Sequence, residues 1–135
     1  MFLHRHKVQV YETDLMGIVH HSNYLRFYEE ARVSWAHHKG LLDYQKPESA
    51  YHFAVYETYV KHIKPAIFGD DLEIEVQAER KGVRLNFQYR MHARGEVLSV
   101  GKTVHVSLNK DLQLIRMPKN YIESLEKEKW TEIWL

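Results

Sequence analysis

The stretch "YETDLMGIVHHSNY", residues 11–24, sets two carboxylates, a glycine and two adjacent histidines in one loop-sized segment. Residues of these types support several kinds of chemistry. Asp14 can act as a nucleophile, or as the base that deprotonates water. His20 and His21 can ligate a metal or donate hydrogen bonds to a substrate. A purely structural role fits the same residues: Asp14 stabilises a turn, Gly17 permits a tight backbone and His21 packs on Tyr24. Spacing within the stretch leaves these alternatives open. Glu12 continues the alternation of the preceding segment and is expected in solvent.

A metal site is the sharper rival to hydrolysis. Adjacent side chains point oppositely on a strand and about 100° apart on a helix, so His20 and His21 do not readily share one ion. His4-x-His6 is spaced for one strand face, but no third ligand follows it. No metal and no cofactor are therefore expected. No Gly-x-Ser-x-Gly elbow is present for a serine nucleophile. "VGKT" at 100–103 lacks the earlier glycine of a phosphate loop and sits in a strand pattern. The chain has no cysteine, which removes disulfides, thiolate zinc sites and a cysteine nucleophile together. Around "AERKGVRLNF", Arg80, Lys81 and Arg84 form a basic cluster. It is either solvated surface or a grip for a phosphate-bearing ligand.

These residues need elements to position them. Val8 and Val10 alternate with Lys7 and Gln9, which predicts a strand from His6 to Glu12. Ser22 is placed to cap a helix over 23–39. Along it Tyr24, Phe27, Tyr28, Ala31 and Trp35 fall on one face, and Leu25 and Val33 broaden the apolar coverage. His37, His38 and Lys39 bring positive charge to the last turn, and Gly40 suits the left-handed residue beyond. The first amides and positive dipole end of this helix would face the Asp14 loop, as an oxyanion site requires. Strands follow at 52–63, ended by Pro65, then at 72–79, 84–93 and 97–109. In the last, Leu98, Val100, Val104, Val106 and Leu108 supply the apolar positions. A short extension at 112–116 and a helix through "KNYIESLEKEK" after Pro118 complete the chain.

A strand, a long buried helix and four strands with mostly short connections predict an α+β fold. An antiparallel sheet of about five strands would curve around one long central helix. The 135 residues fit a single domain, 1–135. Hydrophobic residues at 44% and charged residues at 27% are ordinary for a globular protein. Nineteen Lys and Arg against eighteen Asp and Glu give +1, which offers no global attraction to nucleic acid or anionic membrane. No apolar run is long enough to span a membrane, and "MFLHRHKVQVYE" lacks a signal peptide's apolar stretch. A soluble, cytoplasmic chain is the expectation. The open side of so small a sheet calls for a second subunit.

The stretch "VYETDLMGIVHHSNYLRFYEEARVSW" resembles the hot-dog-fold thioesterases of the 4-hydroxybenzoyl-CoA thioesterase family and their YbgC-like branch. The matching features are Asp14, Gly17-Ile18-Val19, His21, Asn23-Tyr24 and "FYEEAR" at 27–32. The likeness continues through "VYETYVKHIKPAIFGDDLEIEVQ" (55–77) and "MPKNYIESL" (117–125), so it covers nearly the whole chain. Two departures stand out: His20 occupies a position often aromatic in the family, and Leu15-Met16 replaces smaller residues.

The resemblance implies hydrolysis of an acyl thioester carried by CoA or acyl carrier protein. It assigns the attack, or the activation of water, to Asp14, with His21 beside it. Amides at the helix start would polarise the carbonyl, and Gly17, Ile18, Val19 and Tyr24 would wall the site. Arg80, Lys81 and Arg84 would meet the CoA phosphates. Sites in this family lie between subunits, so a homodimer or a dimer-of-dimers tetramer is implied, with Tyr59 or Lys61 of a neighbour touching substrate. A hot-dog hydratase or dehydratase, and a non-catalytic acyl-thioester binder, are the alternatives. The first typically carries an "HFPG"-like stretch that is not found here, and the intact Asp14 near His21 argues against the second.

Overall fold

The computed structural model describes residues 2–46, 53–131 and 134. In chain order the elements are β1 (Phe2–Lys7), α1 (Ser22–His38), β2 (Phe53–His62), β3 (Asp71–Lys81), β4 (Arg84–Ala93), β5 (Glu96–Ser107) and α2 (Lys119–Glu126). The strands form one antiparallel sheet in the order β1-β3-β4-β5-β2. Tyr24, Phe27, Tyr28, Ala31 and Trp35 of α1 are all buried, as their spacing predicts, among Leu72, Ile74, Val76, Phe87, Tyr89 and Met91 of the sheet. We call the sheet face under α1 the inner face. Leu25, by contrast, points to solvent. Gly40 ends the helix with φ +75°.

Three expectations change. The first strand is Phe2–Lys7, not His6–Glu12. After Lys7 the chain leaves the sheet: Val8 enters the core and its N–H donates to Asp70 O at 2.9 Å. Val10 opens a 3-10 turn, Val10–Glu12, and is 67% exposed. Two alternating valines cannot distinguish a pleat from a turn that buries one and exposes the other.

Second, the short connection after β2 does not make β2 and β3 neighbours. β2 is an edge strand beyond β5. The link at 63–70 crosses three strand spacings, about 14 Å. Eight residues extended can reach roughly 26 Å, so the crossing is easy.

Third, the apolar alternation of β5 does not mark its inner face. Tyr89 pairs with Gly101, Phe87 with Thr103 and Leu85 with His105, so Ser99, Gly101, Thr103 and His105 face α1. Tyr28 decides this register. A Cβ at residue 101 would lie 2.6 Å from its ring, and its hydroxyl donates to Ser99 Oγ at 2.6 Å. Leu98 still reaches the core, beside a bulge opposite Met91 and His92.

Beyond β5, Leu108 bridges Leu114 as the chain doubles back. α2 follows Pro118 and inserts Tyr121 and Leu125 into the core.

Candidate active site

Asp14 sits on a loop closed by its own backbone. Its N–H donates to Ile18 O at 2.7 Å, and Gly17 N–H returns to Asp14 O at 3.1 Å. Gly17 takes φ +79°, a conformation that L side chains rarely adopt. One carboxylate oxygen, Oδ1, accepts Met16 N–H at 2.7 Å, while Oδ2 takes no hydrogen bond among the described residues. Leu15 and Met16 project fully into solvent beside it.

The loop is tied to the link between β2 and β3. Ile18 bridges Ile67, and Val19 N–H donates to Ala66 O at 2.8 Å. That link has its own anchor in Asp70, which is buried. Asp70 Oδ1 lies 3.0 Å from Arg94 Nε, and its Oδ2 accepts Ile67 N–H at 2.9 Å. Arg94 also donates to Pro65 O at 2.9 Å. Tyr24 adds a further tie: its buried hydroxyl oxygen accepts Ala66 N–H at 3.2 Å. Burial, the largest cause, pushes its proton affinity up.

Glu12 is not in solvent as expected. It is 7% exposed and folds under the start of the loop, where Oε1 accepts Gln9 N–H at 2.7 Å. His6 Nε2 faces the same carboxylate at 2.9 and 3.1 Å, and His6 Nδ1 lies 3.3 Å from Glu30. The Glu12 carbonyl accepts His20 N–H (2.9 Å) and Asn23 Nδ2 (2.8 Å), fastening the loop to the helix start. His4 Nε2 stands 3.5 Å from Glu30. Among the described residues no group of three His, Cys, Asp or Glu has metal-holding geometry.

Ser22 is the first residue of α1 rather than its cap, and the N-cap residue, His21, makes no side-chain capping bond. His20 Nδ1 accepts Ser22 N–H at 3.2 Å and lies 2.8 Å from Ser22 Oγ. Asn23 N–H donates to His20 O and Tyr24 N–H to His21 O, at 2.9 and 3.3 Å. Of the amides from His20 to Tyr24, only that of His21 has no acceptor among the described residues. The His21 ring is exposed and stacks on His20, with centroids 4.3 Å apart.

Asp14, Ile18, Val19, His21 and Tyr24 line one cleft of about 330 Å³, closed on its other side by residues 62–65. The structure therefore gathers these five expected site residues, with Gly17 shaping the loop behind them. It does not bring the others there. Tyr59 and Lys61 pair with Lys102 and Val100, which puts them on the outer face of the sheet. Arg80, Lys81 and Arg84 flank the β3–β4 turn, at the opposite end of β3 from Asp70. Lys81 lies 3.5 Å from Glu79, and Arg84 sits over the Tyr56 ring at 5.5 Å. One cleft residue has no signal in the sequence: His62, whose ring meets Tyr24 edge-on at 4.6 Å. As the last residue of an exposed strand, it shows its inner orientation only through its pairing with Ser99.

The thioesterase-like superfamily matches residues 8–125. A curated Aquifex aeolicus protein with a provisional esterase name is 32% identical over 127 residues, 93% of this chain and 98% of its own. The acyl-CoA thioester hydrolase YbgC of Escherichia coli O6:H1 is 33% identical over 92 residues, 66% of this chain and 69% of its own. The crystal structure of Slr0204, a 1,4-dihydroxy-2-naphthoyl-CoA thioesterase from Synechocystis, superposes with a TM-score of 0.83. At 20% identity, over 93% of this chain and 96% of that one, it is a likeness of fold. Among the described residues no helix is long and apolar enough to cross a membrane. The chain belongs to the thioesterase-like superfamily, with the hot-dog fold, and is a thioester hydrolase.

Proposed function

We propose that the protein hydrolyses acyl-CoA thioesters, with Asp14 as the reacting carboxylate and the His21 amide as the oxyanion donor. The observation that carries this reading is that Asp14 and His21 line one cleft: a carboxylate with one oxygen, and a helix-start amide, that have no hydrogen-bond partner among the described residues. A thioester carbonyl needs a nucleophile on carbon and a donor on oxygen. Its thiolate leaves readily, so no dedicated strong acid is required. Asp14 either attacks the carbonyl carbon, forming an anhydride that water opens, or deprotonates the attacking water. The positive end of α1 favours the oxygen's developing charge in both routes. The name of the YbgC relative supports CoA as the carrier, with acyl carrier protein the alternative. Acyl-CoA is a cytoplasmic substrate, and that is where this reading puts the protein.

The reading includes a homodimer, alone or doubled into a tetramer, that shares its sites. β2 is an edge strand of ten residues with no second partner strand among the described residues, and Val55, Tyr56 and Tyr59 along it are exposed, as is Ile63 just beyond it. Antiparallel pairing of two β2 strands across a two-fold axis would set the partner's Phe53 end beside His62 and the Asp14 cleft. Arg84, stacked on Tyr56, belongs to that end. Within one chain the basic hairpin is about 30 Å from the cleft, the length of β3. The partner's Arg80, Lys81 and Arg84 are thus better placed for the CoA phosphates. Tyr59 and Lys61, on the outer face, would hold the partner strand or the nucleotide and not the reacting atoms.

The test is release of free thiol from a panel of acyl-CoAs. The Asp14→Asn variant should fold normally and lose at least about a hundredfold in kcat, as removal of a reacting base does. A folded Asp14→Asn protein with near-normal turnover would end the assignment.

A further inference from the structure

Neither Glu12 nor His6 is among the residues that line the Asp14 cleft, yet both are joined to its reacting groups. The Glu12 carboxylate is buried, which is costly for such a group unless it is paired. It is met by Gln9 N–H at 2.7 Å, at the head of the 3-10 turn Val10–Glu12, and by His6 Nε2 at 2.9 and 3.1 Å. His6 is itself fixed from its far side. Its Nδ1 lies 3.3 Å from Glu30 Oε2, and its ring packs on Phe27 with centroids 4.5 Å apart. Since β1 carries His6 and pairs with β3, Glu12 is tied to the sheet and to α1 at once.

The carbonyl of the same residue closes the base of the Asp14 loop. It accepts His20 N–H at 2.9 Å and Asn23 Nδ2 at 2.8 Å, and the Thr13–Val19 bridge continues the pairing one residue further. Asp14 is two residues beyond Glu12, and His20 is bonded directly to His21. The bond from His20 to Glu12 thus governs how far the carboxylate stands from the His21 amide. We infer that Glu12, held by His6, is a positioning residue for hydrolysis, its side chain fixing the carbonyl that spaces Asp14 from the His21 amide. The inference rests on the assignment of Asp14 and His21 above. Misplacement of reacting groups by about 1 Å costs roughly a hundredfold in rate, and it acts on turnover rather than on binding.

The test is steady-state hydrolysis of an acyl-CoA by the full-length protein. Glu12→Ala should lower kcat by about ten- to a hundredfold and change KM by less than about twofold. Glu12→Gln keeps an acceptor oxygen for Gln9 N–H and should hold kcat within about threefold of the unaltered protein. His6→Ala removes the side-chain partner alone and should give a smaller loss, also in kcat; it carries the same test should Glu12→Ala not fold. Leu125→Ala, in the core on α2 and outside the cleft and its loop, separates placement from lost stability. It should lower the denaturant midpoint and leave kcat per folded molecule unchanged. The inference fails if Glu12→Ala and His6→Ala keep normal kcat, if the loss appears in KM, if Glu12→Gln is as damaged as Glu12→Ala, or if Leu125→Ala loses kcat equally. The Asp14→Asn variant keeps the two readings apart. A folded, active Asp14→Asn protein removes the assignment of Asp14, whereas an inactive one beside a fully active Glu12→Ala protein removes only the positioning role.

Discussion

At the scale of the residue, His21 carries two separable groups, a ring and an amide. Its φ of −55° is one that proline adopts, and proline is tolerated at a helix start. His21→Pro therefore removes the N–H while preserving the backbone path, and His21→Ala removes only the ring. We expect His21→Pro to cost about 10²–10³ in kcat, the effect of losing one oxyanion donor, and His21→Ala to cost much less. Stopped-flow thiol release on both variants decides the matter: equal losses would move the role from the amide to the imidazole. Asp14, Gly17 and His21 were singled out by the resemblance to the thioesterase family, since their spacing alone fits a turn before a helix equally well. Glu12 was misread for a related reason. Its burial depends on His6 and on Gln9 N–H, and neither contact is visible in an alternation of residue types.

At the scale of the element, helix α1 was readable almost to the residue, since its apolar stripe and its C-terminal glycine are local signals. The strands were readable as strands, but their faces and neighbours were not. In β5 the valines look like the core side, yet Tyr28 claims the space above Gly101 and turns Ser99, Thr103 and His105 inward. The β3–β4 hairpin carries its own prediction. If Arg80 and Arg84 hold CoA phosphates, replacing both with Ala should raise KM several-fold with little change in kcat, the mark of uniform binding. The effect should shrink in high salt and vanish for a short thioester without the nucleotide. Equal losses on both substrates would return the hairpin to the role of solvated surface.

Two expectations belong to the whole molecule. His105 is held neutral by burial first and by Arg32 second, its pKa lowered to about 3. The sign follows from that depression. Above about pH 6.5 the ring is neutral in both the folded and unfolded states and contributes nothing. Below that the unfolded chain binds a proton that the fold refuses, so stability falls with pH until about pH 3. One proton amounts to roughly 1.4 kcal/mol per pH unit, or about 2–3 kcal/mol between pH 6.5 and 4.5. Denaturant titrations at the two pH values should show a smaller drop for His105→Gln; the same drop in both proteins would remove His105 as the cause. The second expectation concerns sharing of sites. Mixing Asp14→Asn subunits with Arg80→Ala/Arg84→Ala subunits under exchange should form hybrids with one intact site. Measured well below KM, activity should then exceed the average of the two parents, and demonstrated exchange without such a gain would refute the shared site.

The sequence by itself determined the chemistry available and the elements that carry it. The Asp14-to-Tyr24 motif, the stripe of α1 and the alternating strands are all encoded over a few residues, at the range where side-chain type and backbone preference act. Tertiary structure decided what meets what. It led β2 across the sheet to an edge, sent Tyr59 and Lys61 to the outer face, and put His62 in the Asp14 cleft. Each of these depends on pairing between residues far apart in the chain, where register and close packing, not local pattern, set the answer.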